Sequence, residues 1–279
     1  MFVACVGLLA GTRLDAVLSR GSPDKAVVHG ANAANSATNA AADPLGKWER
    51  LEYRDDSPPV ACPEEAPIVA VLGQSNAANS VGHRFVALRD VYELHDGKCY
   101  KAAGALAGAD LDYGSYWPVV GDILIERGFS RSIVFVGLAK GNTTAAQWAD
   151  PNDLGRYLVR KLGAIRGVTH VLWHQGEADT ATPPEQYAAS LRMVIGAVKA
   201  AAPNAKILVA QVSLCSAGRE SAGLLKSQAG VVDQSKSIFA GPNTDAVRGF
   251  EDRYDGCHLS ERGAVKVAKL WADAIAVAK

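Results

Sequence analysis

The sequence predicts an α/β fold, a three-layer α/β/α sandwich on a mainly parallel central sheet. Three observations point to it. Short β-branched apolar runs recur along the chain, as buried parallel strands do, and stretches with helical spacing of apolar residues lie between them. The chain's 279 residues, 48% hydrophobic and 21% charged, are also enough to build a large core. Strand, helix, strand, helix is the order that makes a parallel sheet covered on both faces.

Residues 1–29 read as a hydrophobic export or anchor segment. Phe2, Val3, Val6, Leu8 and Leu9 crowd its start, but no Lys or Arg precedes them as a signal-peptide n-region requires. An incomplete export signal, a short anchor and a plain apolar terminus all fit. Residues 30–60 read as a linker, because every residue across 30–42 is Gly, Ala, Asn, Ser or Thr and offers little burial to offset the entropy of ordering it. The fold is expected to begin between Lys47 and Cys62, with 61–279 as a single domain.

Within that domain the run 68–72 is β-branched and stops at Gly73. The runs 133–138, 168–173 and 207–212 have the same character. Helical spacing marks 117–127, 154–165 and 184–201, the last behind Pro183-Pro184-Glu185, where a proline suits the first turn. A closing helix is expected over 261–278, with Ser260 as N-cap and Val265, Ala268, Leu270, Trp271 and Ile275 facing inward. Ligands of such sheets bind at the carboxyl ends of the strands, so chemistry is sought in the residues just after each run.

After the first run stands Gly73-Gln74-Ser75-Asn76. It reads either as a helix cap or as a serine exposed above the sheet with backbone N–H groups behind it. Asp255-Gly256-Cys257-His258 precedes the last helix. It is either a surface turn or a carboxylate placed against one imidazole nitrogen, leaving the other free to take a proton. His174-Gln175-Gly176-Glu177 follows the third run and Gly141-Asn142-Thr143 the second. Gln175 and a backbone N–H at Gly141 suit an oxyanion hole, while Gln175 as a partner of buried backbone and Glu177 as a cap are the structural alternatives. No His-Glu-x-x-His or paired-cysteine spacing supports a metal at His174, Glu177 and Asp179.

Together with Trp148 and Trp173, these four blocks resemble the sialate O-acetylesterase-like branch of the SGNH hydrolase superfamily, which also holds the acetylxylan esterases of carbohydrate esterase family 6. The likeness runs from about Ile68 to the C-terminus. It implies the α/β/α fold of SGNH, flavodoxin-like hydrolases, no cofactor, Ser75 as nucleophile, His258 as general base and Asp255 as its orienting partner. It implies an oxyanion hole from the N–H groups of Ser75 and Gly141 with the Gln175 side chain. Gln74, Asn76, Asn142, Trp148, His174 and Glu177, within or beside these blocks, are the candidate substrate contacts. Two positions depart from the family pattern: Asn142 stands where a glycine is usual, and His174 where a tyrosine is. The activity implied is hydrolysis of acetyl esters on sugars through an acyl-serine. A non-catalytic carbohydrate-binding descendant of the fold and an O-acetyltransferase using the same serine are the alternatives. The acetylated sugar could be xylan, a sialic acid or a bacterial surface glycan.

Charge and cysteines bound the setting. The 29 basic residues balance 29 acidic ones, which argues against a nucleic-acid partner and suits an uncharged substrate better than an anion. No apolar run reaches the length of a membrane span beyond the possible N-terminal anchor. Cys5 aside, Cys62, Cys99, Cys215 and Cys257 allow three pairings or free thiols. The pairs Cys215–Cys257 and Cys62–Cys99 would pin the Asp255 loop and the entry to the first strand, fitting a secreted, periplasmic or cell-envelope location. Tyr113, Tyr116, Trp117 and Trp148 read as a sugar platform or, more commonly for such spacings, as core.

Overall fold

The computed structural model describes residues 44–215 and 220–278. The expected export or anchor segment and residues 30–43 of the expected linker lie outside the described residues. Seven strands, β1 (Ile68–Gly73), β2 (Val91–His95), β3 (Lys98–Lys101), β4 (Ile133–Gly137), β5 (Val168–His174), β6 (Lys206–Gln211) and β7 (Ile238–Asn243), form one sheet. Their order is β3-β2-β4-β1-β5-β6-β7. Only the β2–β3 pair is antiparallel, and the other neighbours run parallel.

Among the described residues seven α-helices cover this sheet: α1 (Pro44–Glu49), α2 (Trp117–Glu126), α3 (Ala145–Ala149), α4 (Leu154–Gly163), α5 (Pro184–Ala201), α6 (Ala222–Ala229) and α7 (Glu261–Val277). The alternation of side chains along a strand builds the three layers. Val69 and Val71 of β1 enter a core with Trp117 of α2 and Trp271 of α7, whose rings lie 5.6 Å apart. Ala70 and Leu72 enter the opposite core with Trp148, Tyr157 and Leu191 of α3, α4 and α5. No helix among the described residues is long and apolar enough to cross a membrane.

Two expectations need correction. The packed fold starts before residue 61: Trp48 of α1 is buried with its indole N–H on Asp153 at 2.6 Å, and Glu52 is buried on Tyr157 at 2.9 Å. An indole and a carboxylate committed in this way belong to the domain, whatever the composition of the stretch before them. On α7 the inner face is Ala264, Val267, Ala268, Trp271 and Ile275, with Val265 and Leu270 turned to its sides. Helical phase, not side-chain size, selects the buried positions. At the sheet edges the structure adds elements that the sequence reading did not name. The β2–β3 hairpin turns on Asp96-Gly97, both at positive φ, and β7 carries Gly241 and Pro242 at the edge, where a strand tolerates them.

Candidate active site

From β1 the chain builds β2, β3 and β4 on one side of that strand, then returns to build β5, β6 and β7 on the other. The loops after β1, β4 and β5 therefore meet at one crevice, the switch point where ligands of open α/β sheets bind. Gly73 makes the exit from β1 possible. Its φ is +130°, and a Cβ there would sit 2.0 Å from the carbonyl oxygen of His174, so any side chain would push β1 and β5 apart.

The turn that follows presents Ser75 to a cavity of about 490 Å³. His258 Nε2 lies 3.0 Å from Ser75 Oγ, and His258 Nδ1 lies 2.6 Å from Asp255 Oδ2. The other oxygen of Asp255 accepts the N–H groups of Cys257 and His258 at 2.9 and 2.6 Å. Burial pushes the Asp255 carboxyl up, but those two N–H groups and the His258 ring outweigh it and hold it below the usual carboxylate range. The arrangement can hold an imidazole in one orientation and take a proton from a hydroxyl.

The loop carrying Asp255 and His258 is pinned from several sides. Cys257 is bridged to Cys215 just beyond β6, and Cys62 to Cys99 of β3. Arg253 is buried and donates to the carbonyls of Val247, Thr244 and Cys257. Asn76 Nδ2 bonds Glu177 Oε1 at 2.8 Å and the Cys257 carbonyl at 3.3 Å, tying the nucleophile turn to both neighbouring loops. Nothing in the local sequence singles out Arg253, because its acceptors come from three separate segments, the third being the Leu214 carbonyl at 3.4 Å.

The sequence across residues 120–277 matches the family model of carbohydrate esterases described as sialic acid-specific acetylesterases. The chain belongs to this family. Ser75 lies before the matched span, while Gly141, Gln175, Asp255 and His258 lie inside it. Among curated proteins none matches the sequence. The carbohydrate esterase is similar in fold to a protein from Arabidopsis thaliana (TM-score 0.60, 17% identity, 79% of this chain and 99% of that one). It is also similar to NanS (TM-score 0.53, 12% identity, 78% and 98%). A carbohydrate acetylesterase from Xanthomonas citri follows (TM-score 0.50, 14% identity), with 75% of this chain spanning 55% of that one.

In this esterase the expected oxyanion donors are arranged differently. Gln175 is fully buried, and its Nε2 donates to Gln74 Oε1, the Thr143 carbonyl and Asp179 Oδ2 at 3.1, 3.0 and 2.6 Å. An amide has two N–H bonds, and these are spent inside the protein. Gly141 N–H points at Asp110, with both carboxylate oxygens within 2.8 Å. Gln74 is the donor that remains beside Ser75. Its Oε1 is held by Ala178 N–H and Gln175, which leaves its Nε2 without a protein partner among the described residues, on a side chain lining the cavity.

Trp148 and His174 are not brought to the cavity. The Trp148 indole is buried on Thr143 Oγ1 at 2.9 Å. His174 is buried between the Tyr116 hydroxyl and Thr244 Oγ1, and burial pushes it down to about 3, a neutral ring. Asn76 is buried as a loop tie, whereas Gln74, Asn142 and Glu177 do line the cavity. Burial raises the Glu177 carboxyl, against the Asn76 bond that lowers it. Asn142 adopts φ 53°, the left-handed region that glycine enters freely and asparagine tolerates. Tyr116 and Trp117 are core residues, and Tyr113 is 62% exposed.

Away from the cavity, Glu52, His95 and Asp96 lie close enough to chelate an ion. The Lys161 amine already supplies the positive charge there, on both Glu52 and Asp96.

Proposed function

We propose that the protein is a carbohydrate O-acetylesterase acting through an acyl-serine on Ser75. The observation that carries this reading is the hydrogen-bonded chain Ser75–His258–Asp255 opening on a cavity at the switch point of the sheet. His258 Nε2 takes the Ser75 proton as Oγ bonds to the ester carbonyl carbon, and the carbonyl electron pair moves onto oxygen. The tetrahedral oxyanion faces the Ser75 N–H and the Gln74 amide, which Gln175 holds in place. Collapse expels the sugar oxygen, which takes the proton from His258. Water then gives a proton to His258, attacks the acyl carbon and releases acetate and free Ser75.

The two disulfides support the same enzyme working in an oxidising compartment, as a secreted, periplasmic or cell-envelope protein. The test is acetate release from an aryl acetate and from acetylated sugars by purified protein. Ser75→Ala is expected to lose about 10⁴-fold or more in kcat with an unchanged thermal melt. Activity retained in that variant would falsify the assignment. A drop in acetate release with acetylation of an added sugar would instead identify a transferase.

A further inference from the structure

Asp110, on the segment between β3 and α2, lines the same cavity as Ser75 and His258. Its two oxygens share the single N–H of Gly141 at 2.8 and 2.7 Å. A carboxylate offers about four lone-pair sites, so one N–H orients it and leaves acceptor capacity toward the cavity. Glu177 lines the cavity as well, and Asp255 stands behind His258. No Lys or Arg is among the described residues that line it. The neighbouring cations do not reach the cavity: Arg253 is spent on backbone carbonyls, and Lys140 is buried with its amine on the Gly108 carbonyl at 2.8 Å. Burial raises the Asp110 carboxyl, against the Gly141 N–H and the Lys140 charge, which lower it.

A sugar carboxylate entering this cavity would meet acidic side chains and no Lys or Arg among its described lining, whereas a sugar hydroxyl would find an acceptor. Specificity is often set by the repulsive element as much as by the attractive one. We propose, resting on the acyl-serine reading above, that Asp110 is a specificity-determining residue. It accepts a hydroxyl next to the ester, so the enzyme takes O-acetyl esters of uncharged sugars and disfavours the sialates that its family's description names. The zero net charge of the chain points the same way, since it provides no overall field to draw an anionic substrate.

The experiment compares kcat/KM of the full chain for an O-acetylated methyl glucoside and an O-acetylated sialic acid, in wild type and Asp110→Asn. Asparagine keeps the shape and an oxygen for Gly141 N–H, and removes the charge. Wild type is expected to favour the uncharged sugar by about tenfold or more, and Asp110→Asn to shrink that ratio by about tenfold. The ratio is taken within one preparation, so a loss of folded protein cancels, and Asp110→Ser supplies a second variant. Equal use of both sugars by wild type, or an unchanged ratio in both variants, overturns the proposal. Ser75→Ala separates the two readings. Acetate release that persists there removes the acyl-serine reading and this one together; Ser75-dependent release with an unchanged ratio removes only the role of Asp110.

Discussion

Two buried polar clusters of this protein are built to opposite rules. Around Glu52 every acceptor is filled: Oε1 takes the Tyr157 hydroxyl and the Lys161 amine, both at 2.9 Å, and Oε2 takes His95 Nε2 at 3.0 Å. Burial would push this carboxyl up, yet the bonds from His95 and Lys161 outweigh it and hold it at about 2. At the C-terminal edge of the sheet, Asn76 Oδ1, Gln175 Oε1 and Glu177 Oε2 are buried without a partner among the described residues. Unpaired buried groups cost about 1–3 kcal/mol each unless water reaches them. The closed cluster is organised to hold α4 and β2 to the segment after α1. The open one gives up some stability to orient loops around a cavity, and local violations of this kind are expected at functional sites.

The largest effect expected from breaking this contrast is on stability. Glu52→Gln leaves the Lys161 amine without its buried partner, and urea unfolding should report a loss of about 3–5 kcal/mol, while kcat of the folded fraction stays at the wild-type value. The pH dependence follows from the lowered carboxyl. Glu52 contributes fully above the ordinary glutamate value of 4.5, and that contribution is lost as pH falls through about 2. The variant's acid-unfolding curve should therefore be flatter over this window; an identical curve would show that Glu52 is not the group responsible.

At the open cluster the effect is expected on catalysis. Gln74→Leu should lower kcat about a hundredfold to a thousandfold with little change in melting temperature, and Gln175→Ala should approach it by releasing Gln74. A silent Gln74→Leu beside a crippled Gln175→Ala would reverse their roles. The smallest and most diagnostic contrast is between the disulfides. Replacing Cys215 and Cys257 together with serine should cost about 2–4 kcal/mol and also reduce kcat, because Cys257 sits between Asp255 and His258. The Cys62 and Cys99 pair should cost stability alone, read by parallel melts and acetate release.

What could be read from the sequence follows from how local each signal is. The runs that became β1, β4, β5 and β6 are continuous β-branched segments, and helix α5 begins and ends where its apolar spacing and its Pro183-Pro184 start require. The β2–β3 hairpin was not among the runs picked out from the sequence, because its strands are short and carry charged residues; its Asp96-Gly97 turn, a favoured two-residue type, is the signal that could have found it. Strand β7 was not legible, because Gly241 and Pro242 interrupt the pattern and only its place at the sheet edge makes them acceptable. The candidate site was legible as four blocks, each behind a strand or ahead of a helix. The direction of each side chain within those blocks was not.

By itself the sequence determined the alternation of strands and helices, the order of the four blocks and the balanced charge, because periodicity, turn chemistry and composition act over a few neighbouring residues or on the chain as a whole. Only the tertiary structure decided that Ser75 lies 3.0 Å from His258, 183 positions away, that Gln175 faces inward while Gln74 faces the cavity, and that Asp110 holds the Gly141 N–H. Each of these depends on which acceptor sits at the end of a particular donor once separate loops converge. A hydrogen bond between distant segments leaves no mark on the local pattern of either one.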